Sequence, residues 1–187
     1  MNEMVDLSKT YTCEDYLSWK DDIRRELIDG AVKLMSGVNR WHAKVSSRVY
    51  RFLANFFDKP NYMIFYAPFD VFLSDNTVVQ PDIGIVCDLS KVRDNGIYGA
   101  PDFLVEIISP SSVNYDFREK FSLYEKHGVK EYWIVDPKSQ FVKVFLLQSD
   151  GQYDSGALYD YSTDQESSIK ISIVDDFQIK IKDIFKE

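Results

Sequence analysis

The sequence predicts a mixed α/β (α+β) fold in which a central mixed sheet is flanked by two principal helices. Five short apolar runs have the length of strands, and they cover residues 62–66, 70–73, 83–87, 103–108 and 132–135. The central runs are apolar at nearly every position, which is typical of strands covered on both faces. Two other segments repeat apolar residues at helical period. A hairpin near the N-terminus and a β-rich extension at the C-terminus complete the predicted architecture.

Length and composition indicate one globular domain over residues 1–187. A chain of 187 residues with 45% hydrophobic and 15% aromatic residues is large enough to bury a substantial core. No apolar run approaches the length of about 20 residues needed to span a bilayer. The N-terminus also lacks the basic start and apolar centre of a signal peptide. Because Cys13 and Cys87 do not have the spacing of a zinc site, we expect a reduced, cytoplasmic protein.

Charge is unevenly distributed along the chain. The net charge of −8 argues against general binding of polyanions. Residues 31–60 nevertheless hold six basic side chains and a single acidic one. An acidic protein can therefore carry a local cationic face, and the sequence places that face on this segment.

The first elements are predicted from local signals. Thr12 followed by Asp15 has the pattern of a capping box, which predicts a short helix over residues 13–19. Two extended runs then flank Asp29-Gly30, a dipeptide that favours a tight hairpin turn. This hairpin places Glu26 on its first strand.

A long helix is predicted to begin after the N-cap residue Asn39 and to end at residue 57, before Pro60. Its apolar stripe, spaced at helical period, consists of Trp41, Val45, Val49, Phe52 and Phe56. A basic stripe lies about 100° away around the helix and consists of Arg40, Lys44, Arg48 and Arg51. Two interpretations of the basic stripe stay open: a solvated helix face, or a surface that contacts nucleic-acid phosphates.

A second long helix is predicted over residues 113–127, after Pro110 has ended the preceding strand. Acidic residues near its start and basic residues near its end match the helix dipole, and Gly128 is well placed to end it. Beyond Pro137, the run FVKVFLLQ and the Asp150-Gly151 turn predict an antiparallel hairpin. The tail is predicted to form a strand and a short helix.

Two predicted strands are each associated with one acidic residue: Asp82 stands directly before the run 83–87, and Glu106 lies within the run 103–108. A carboxylate among Val, Ile and Phe is costly to bury unless a cation neutralises it. Two carboxylates on neighbouring strands form an oxygen-ligand site for a hard divalent cation such as Mg²⁺. Such a site suits phosphodiester hydrolysis, which needs a metal beside the scissile phosphate and positive charge for the transition state.

The chain contains two Pro-Asp pairs, so the choice of aspartate has to be argued. Asp102 lies on the same strand as Glu106 and roughly 13 Å from it, because a strand rises about 3.3 Å per residue. Ligands of one Mg²⁺, each about 2.1 Å from the ion, do not span that distance. Asp82 lies on a different strand and can approach Glu106 by pairing, so it is the predicted ligand. Asp102 is expected at the strand entrance.

Lys120 has two interpretations that its spacing leaves open. On the helix over residues 113–127 it borders the predicted apolar stripe of Phe117, Phe121 and Tyr124. A long side chain at this position can reach the carboxylates on the sheet and supply the positive charge. Alternatively, the lysine extends to solvent and pairs with Asp116, four residues earlier.

Several segments together carry a family resemblance. They are RRELIDGAVKLMSG, a following helix with His42, VVQPDIGIVCD, APDFLVEIISPSS, the D-x-x-x-K pattern that ends at Lys120, and HGVKEYWIVDP. In this order and spacing, over roughly residues 11–147, they resemble the Uma-type family of restriction endonucleases, which belongs to the PD-(D/E)XK nuclease superfamily. A lone Pro-Asp would carry little information, whereas the combination is specific.

The resemblance implies an endonuclease that hydrolyses phosphodiester bonds in DNA with Mg²⁺ or Mn²⁺, built on a restriction-endonuclease-like αβββαβ core. It implies that Asp82 and Glu106 are the two acids of the site and bind the metal. By analogy with the superfamily, the backbone carbonyl of Ile107 is the third metal ligand. It also implies that Glu26 and His42 lie close to the site, so both are candidate catalytic residues together with Asp82, Glu106 and Lys120.

One position departs from the superfamily pattern. That pattern places a lysine two residues beyond the second acid, where this chain has Ile108. In the Uma-type family the lysine is found on the following helix, and Lys120 is the matching position. An apolar residue cannot supply the cation, so the resemblance assigns this role to Lys120.

Structural alternatives accompany these assignments. His42 shares a helix face with Val45 and Val49 and is also consistent with a core histidine. Glu26 is also consistent with a cross-strand partner of Lys33. For the whole protein, the alternatives are a nuclease-fold protein that binds nucleic acid without cutting it independently, and a structural domain whose carboxylates pair internally. Because cutting both strands of a duplex with one site per chain favours a symmetric pair, we expect a homodimer.

Overall fold

The computed structural model describes residues 5–35, 37–57, 59–109 and 115–186. Residues 110–114 lie outside these ranges, so Pro110 and the predicted start of the second long helix are not described. Within the described ranges, no helix combines the length and the apolar character needed to cross a membrane.

The α-helices among the described residues are α1 (Cys13–Ser18), α2 (Arg40–Phe57), α3 (Phe121–His127) and α4 (Ile181–Phe185). A π-helical segment, Tyr115–Lys120, leads directly into α3, so the two together form the second long helix of the prediction. A short 3₁₀ helix, Leu89–Lys91, lies in a loop.

The strands, in chain order, are β1 (Arg25–Ile28), β2 (Ala31–Leu34), β3 (Met63–Tyr66), β4 (Val71–Ser74), β5 (Thr77–Val79), β6 (Ile83–Val86), β7 (Val92–Arg93), β8 (Gly96–Tyr98), β9 (Phe103–Ile107), β10 (Glu131–Asp136), β11 (Phe141–Leu146), β12 (Ala157–Asp160), β13 (Ser168–Lys170) and β14 (Gln178–Lys180). All five predicted strands are present, with ends that differ from the prediction by one residue at most. The prediction missed β5, β7 and β8, and it gave the tail one strand where the structure has β13 and β14. Runs of two or three residues carry no periodic signal.

The central sheet has six strands in the order β12-β11-β10-β9-β6-β3. It is mixed, because β9 and β10 are parallel whereas the other neighbours are antiparallel. A second sheet has the order β2-β1-β5-β4-β8-β7, and β13 pairs with β14. The predicted fold class is confirmed. The N-terminal hairpin, however, is the edge of this second sheet and not an appendage to a single central sheet.

The central sheet is covered on both faces, which explains its apolar strands. On β9, Phe103, Val105 and Ile107 pack in a core with the buried side of α2 and with α4. Leu104 and, just beyond the strand, Ile108 pack in a second core with α3 and the second sheet. Since successive side chains of a strand point to opposite faces, Glu106 shares the face of Leu104 and is directed toward α3.

Local signals place the ends of several elements as predicted. The capping box at Thr12 is formed, and Asn39 Oδ1 accepts hydrogen bonds from two backbone N–H groups in the first turn of α2. Asp29 and Gly30 have φ angles of 46° and 84°, as a type I′ hairpin turn requires at both central positions. Gly128 ends α3 in the left-handed conformation with φ of 82°.

The buried face of α2 differs from the predicted apolar stripe. Its buried residues are His42, Val45, Val49, Leu53 and Phe57. Trp41 is exposed, and Phe52 and Phe56 are half-buried. The predicted stripe and the buried residues both follow helical spacing, so the pattern alone does not distinguish them. Packing against the central sheet buries the set that contains His42.

Gly84 lies on β6 at a position without room for a side chain. A Cβ atom there would lie 2.2 Å from Cζ of Phe65 and 2.9 Å from Cδ2 of Leu104. We therefore expect Gly84→Ala to lower the free energy of unfolding by about 1–3 kcal/mol, as overpacking does elsewhere. Gly37→Ala is the matched control, since a Cβ at Gly37 has nothing within 4 Å. Denaturation with urea measures both, and equal stabilities would contradict the prediction.

Candidate active site

A pocket of about 250 Å³ opens between the two six-stranded sheets and the N-terminal end of α2. Its lining includes all the side chains that were predicted as catalytic, which are Glu26, His42, Asp82, Glu106 and Lys120. Ile107 lines the same pocket. The fold thus brings together residues that lie far apart in the sequence.

Strand register places the two predicted acids opposite each other. β6 and β9 are antiparallel with Ile83 opposite Val105, so the next pair along the ladder is Asp82 and Glu106. Directly opposite side chains on one face have Cβ atoms about 5 Å apart. The expected approach of Asp82 to Glu106 by strand pairing is therefore present, while their role as metal ligands remains a prediction.

Lys120 reaches the pocket from the segment that leads into α3. Its side chain is 3% exposed, and Nζ lies 2.7 Å from Oε1 of Glu106 and 3.0 Å from Oε1 of Glu26. A snorkelling lysine would keep its ammonium in solvent, so the interpretation in which Lys120 reaches the sheet carboxylates describes the structure. Although burial disfavours the charged form, the carboxylates of Glu106 and Glu26 raise the pKa of Lys120 well above its ordinary value. The side chain is therefore a buried ammonium.

Glu106 is buried among groups that donate hydrogen bonds to one of its oxygens. Oε1 accepts from Nζ of Lys120 and from the hydroxyl of Tyr124, each at 2.7 Å. Burial raises the pKa of Glu106 well above its ordinary value, and the Lys120 ammonium opposes this effect. A second cation bound beside Glu106 would act in the same direction as the ammonium and favour the ionised carboxylate.

Glu26 is held at both carboxylate oxygens. In addition to the lysine, Oε1 accepts the backbone N–H of Gln80 at 2.8 Å, and Oε2 accepts the hydroxyl of Tyr115 at 2.6 Å. Lys33 lies opposite Glu26 in the hairpin register but pairs with Glu119 at 3.0 Å. Glu26 thus connects the second sheet to the segment that leads to Asp82.

Asp82 is oriented by two partners at Oδ2. This oxygen accepts the backbone N–H of Ile107 at 2.7 Å and lies 3.1 Å from Nε2 of His42. A carboxylate oxygen accepts hydrogen bonds, so this contact corresponds to the His42 tautomer that carries a proton on Nε2. In extended backbone, the N–H and C=O of one residue point to the same side of the strand. The carbonyl of Ile107 is therefore directed toward the side on which Asp82 lies.

Asp102, the aspartate of the second Pro-Asp pair, lies at the entrance of β9 as expected and does not line the pocket. Its carboxylate accepts the backbone N–H of Cys87 at 2.7 Å and pairs with Lys130 at 2.7 Å. These contacts hold the loop before β9, which is a structural role.

Several groups that hold the site in place left little or no signal in the sequence. Besides the hydroxyls of Tyr115 and Tyr124, these are the side chains of Arg24 and Gln80, which line the pocket or its wall. Arg24 donates to Oε1 of Gln80 from Nε at 3.2 Å and from Nη2 at 3.0 Å, and Nε2 of Gln80 donates to Asp70 at 2.9 Å. Two of them left a signal: Tyr124 lies four residues from Lys120 on one helix face. Gln80 stands close to Asp82 in the sequence, where it is expected either to orient a ligand or to cap a strand end.

The predicted basic stripe of α2 does not form a uniform surface. Arg48 donates from Nη1 to a backbone carbonyl of α4 at 3.2 Å. Arg40 and Lys44 flank Trp41, with Cζ and Nζ at 4.6 Å and 5.4 Å from the ring. Arg51 is exposed further along the helix. A phosphate-contacting role for this stripe therefore stays a prediction, and it applies best to Arg40 and Lys44.

The donor set of the pocket fits a hard divalent cation. Within the described ranges, no group of three or more His, Cys, Asp and Glu side chains is arranged around a metal position. Mg²⁺, however, commonly uses only one or two carboxylates and keeps several water ligands. Asp82, Glu106 and the Ile107 carbonyl supply oxygen atoms of that kind.

The chain is similar to known proteins in sequence and in structure. The Uma2 family model, described as "Putative restriction endonuclease", matches residues 13–180. An uncharacterized protein from Synechocystis sp. is 26% identical over 144 residues, covering 75% of this chain and 76% of that protein. A crystal structure from Anabaena variabilis, of "a putative nuclease belonging to DUF820", matches this chain with a TM-score of 0.77 at 20% identity. The match covers 94% of this chain and 97% of the chain in that structure. This last likeness shows the fold.

The buried ion cluster makes a prediction about stability. Lys120→Met leaves two buried carboxylates without their cation, so we expect it to lower the free energy of unfolding by about 3–5 kcal/mol near pH 8. A carboxyl group whose pKa is raised on folding stabilises the folded protein fully below its unfolded pKa. This contribution is lost as the pH rises through its folded pKa. The loss should therefore be smaller near pH 5, where the variant takes up a proton.

Two further variants test this explanation by urea denaturation at both pH values. Glu106→Gln added to Lys120→Met should restore part of the stability near pH 8, because it removes one unpaired charge. Lys126→Met removes an exposed lysine that pairs with Asp29 at 3.5 Å and should change little. A Lys120→Met variant as stable as Lys126→Met would contradict the prediction.

Proposed function

This chain belongs to the Uma2 family, and from that premise we propose that it is a metal-dependent endonuclease that hydrolyses phosphodiester bonds in DNA. The observation that carries the proposal is the meeting of Asp82, Glu106 and Lys120 in one pocket, from three separate segments of the chain. A protein in which apolar residues of similar volume replace a buried ion cluster is often at least as stable as the original. Chemistry at the pocket therefore accounts for these charges better than stability does.

Asp82, Glu106 and the Ile107 carbonyl are the groups that would hold Mg²⁺ or Mn²⁺. A divalent cation bound there supplies Lewis acidity for a phosphoryl oxygen and lowers the pKa of a bound water. Asp82 is oriented for this role, because its Oδ2 is held by His42 and the Ile107 N–H. In the part of the chain that the structure describes, neither Oδ1 of Asp82 nor Oε2 of Glu106 has a hydrogen-bond partner.

Lys120 supplies the positive charge of the proposed site. Its ammonium contacts Glu106 and is therefore close to any phosphate held beside that carboxylate. Positive charge at this point stabilises the negative charge that develops on the phosphoryl oxygens. We assign positioning roles to Glu26, which directs the ammonium, and to His42, which orients Asp82.

A second candidate function is nucleic-acid binding without independent cleavage. The observation in its favour is that Lys120 already contacts both Glu106 and Glu26, so the cluster is partly neutralised in the absence of a divalent cation. Measurement of cleavage separates the two candidates.

We expect the purified protein to nick plasmid DNA with Mg²⁺ or Mn²⁺ and to be inactive in EDTA. Asp82→Asn and Glu106→Gln should each lower the rate by about 100-fold or more, because each removes a charge that acts on the reacting phosphate. Calorimetry with Mn²⁺ should show weaker binding to both variants, and circular dichroism should show the wild-type fold.

Asp102→Asn is the matched control, since it changes the aspartate of the other Pro-Asp pair. This variant should lose stability with its Lys130 contact but keep the cleavage rate of the folded protein. Normal cleavage by Asp82→Asn and Glu106→Gln would show that the site is misplaced. DNA binding without cleavage under every metal condition would favour the second candidate function.

We also propose that the endonuclease is a cytoplasmic homodimer with one domain per chain. One active site per chain cuts both strands of a duplex most simply in a symmetric pair, and twofold dimers are the commonest oligomers. The free thiols of Cys13 and Cys87 suit a reducing compartment. Light scattering at micromolar concentration should give twice the mass of one chain, and a strictly monomeric mass would count against the dimer.

A further inference from the structure

A second pocket, of about 300 Å³, lies on another side of α2. Residues of α2, of the turn between β10 and β11, and of α4 line it, and none of them lines the first pocket. Trp41 and His42 are consecutive in α2 but line different pockets. Because successive residues are about 100° apart around a helix, the two pockets flank the start of the same helix.

The second pocket is cationic. Lys44, Arg48 and Lys138 line it, and among the described residues no acidic side chain does. The whole chain has a net charge of −8, so this local excess of positive charge is opposite in sign to the rest of the protein. A concave surface of one sign concentrates ligands of the other sign, so the pocket favours an anion.

An exposed indole forms one wall. Trp41 is 43% exposed, whereas Trp133 is fully buried. Arg40 and Lys44 lie against its ring at 4.6 Å and 5.4 Å. Contacts of this kind at exposed sites are weaker than the stacking of a nucleic-acid base on an aromatic ring. A base can therefore displace Arg40 or Lys44 from the ring, and the displaced side chain can then contact the phosphate next to that base.

The other walls are formed before any ligand binds. Val45 and Phe185 are buried, and Arg48 is fixed by its hydrogen bond to α4. The turn that carries Lys138 is held because Oδ1 of Asp136 accepts the backbone N–H of Lys138 at 2.7 Å. A preformed site loses less conformational entropy on binding than a mobile one.

We propose that this pocket binds one unpaired nucleotide of the substrate strand, with the base stacked on Trp41 and the phosphate held by Lys44 and Lys138. The inference rests on the proposed nuclease function and deepens it, since it gives the substrate an unpaired nucleotide near the cleavage site. A base inside a duplex is stacked on its neighbours and must leave the stack to reach an indole. The pocket therefore prefers single-stranded or locally unpaired DNA.

The test measures binding in EDTA, so that no cleavage occurs, of a single-stranded oligonucleotide and of the same sequence as a duplex. Trp41→Ala should weaken single-strand binding by about 5- to 100-fold, as expected for the loss of one stacked base. Trp41→Phe should retain most of the affinity because it keeps an aromatic face. Quenching of tryptophan fluorescence by the oligonucleotide should be lost in Trp41→Phe.

Charge variants provide the second arm. Lys138→Glu should weaken binding and flatten its dependence on salt. Lys126→Glu makes the same change of charge on an exposed lysine outside both pockets and should have a smaller effect. Competition by inorganic phosphate or an acidic peptide as effective as competition by the oligonucleotide would indicate a general anion site and overturn the proposal.

The outcomes separate this inference from the proposed function. Unchanged single-strand affinity in Trp41→Ala, in a protein whose wild type cleaves DNA, would overturn the nucleotide pocket alone. Equal weakening of single-strand and duplex binding would overturn the preference for an unpaired nucleotide. A wild-type protein that neither binds nor cleaves any DNA would contradict both proposals.

Discussion

The buried contact of Lys120 with Glu106 and Glu26 joins three parts of the structure at one point. Glu106 belongs to the central sheet, Glu26 to the second sheet and Lys120 to the helical segment that leads into α3. Removing an ammonium and two carboxyl groups from water is costly, and their mutual contacts offset that cost only when every partner is in place. The relative position of these elements is therefore strongly constrained, and the constraint acts at the wall of the pocket.

Alternation along β9 explains how one strand serves both a core and a site. Residues 103, 105 and 107 pack toward α2, so position 106 faces α3. Ile108 shares that face and packs with Leu123 in the second core. A lysine at position 108 would remove an apolar side chain from the second core. Lys120 instead brings an ammonium from the helical segment that leads into α3, the helix that covers this face of β9. In the proposed site, Lys120 thus supplies the cation that position 108 does not, and its ammonium contacts Glu106.

The features that the sequence predicted are those that depend on local chemistry or on regular spacing. The turn at Asp29-Gly30, the cap at Asn39 and the end of α3 at Gly128 are set by residues adjacent in the chain. The approach of Asp82 to Glu106 followed from the geometry of paired strands. The hydrogen bonds of Arg24, Gln80 and Asp70, and that of Tyr115 to Glu26, join residues from different elements. No spacing rule contains such contacts, because tertiary packing alone creates them.

The rotation of α2 shows how such packing places side chains in the two pockets. A stripe centred on Trp41 would bury the indole and turn His42 away from Asp82, since consecutive residues point about 100° apart. The actual stripe buries His42, Val45 and Val49, which sends the imidazole to Asp82 and leaves the indole in the second pocket. Both placements depend on the same packed face of the helix. A change that rotated α2 would therefore disturb the Asp82 carboxylate and the second pocket together, so the proposed active site and the proposed nucleotide pocket are coupled through one helix.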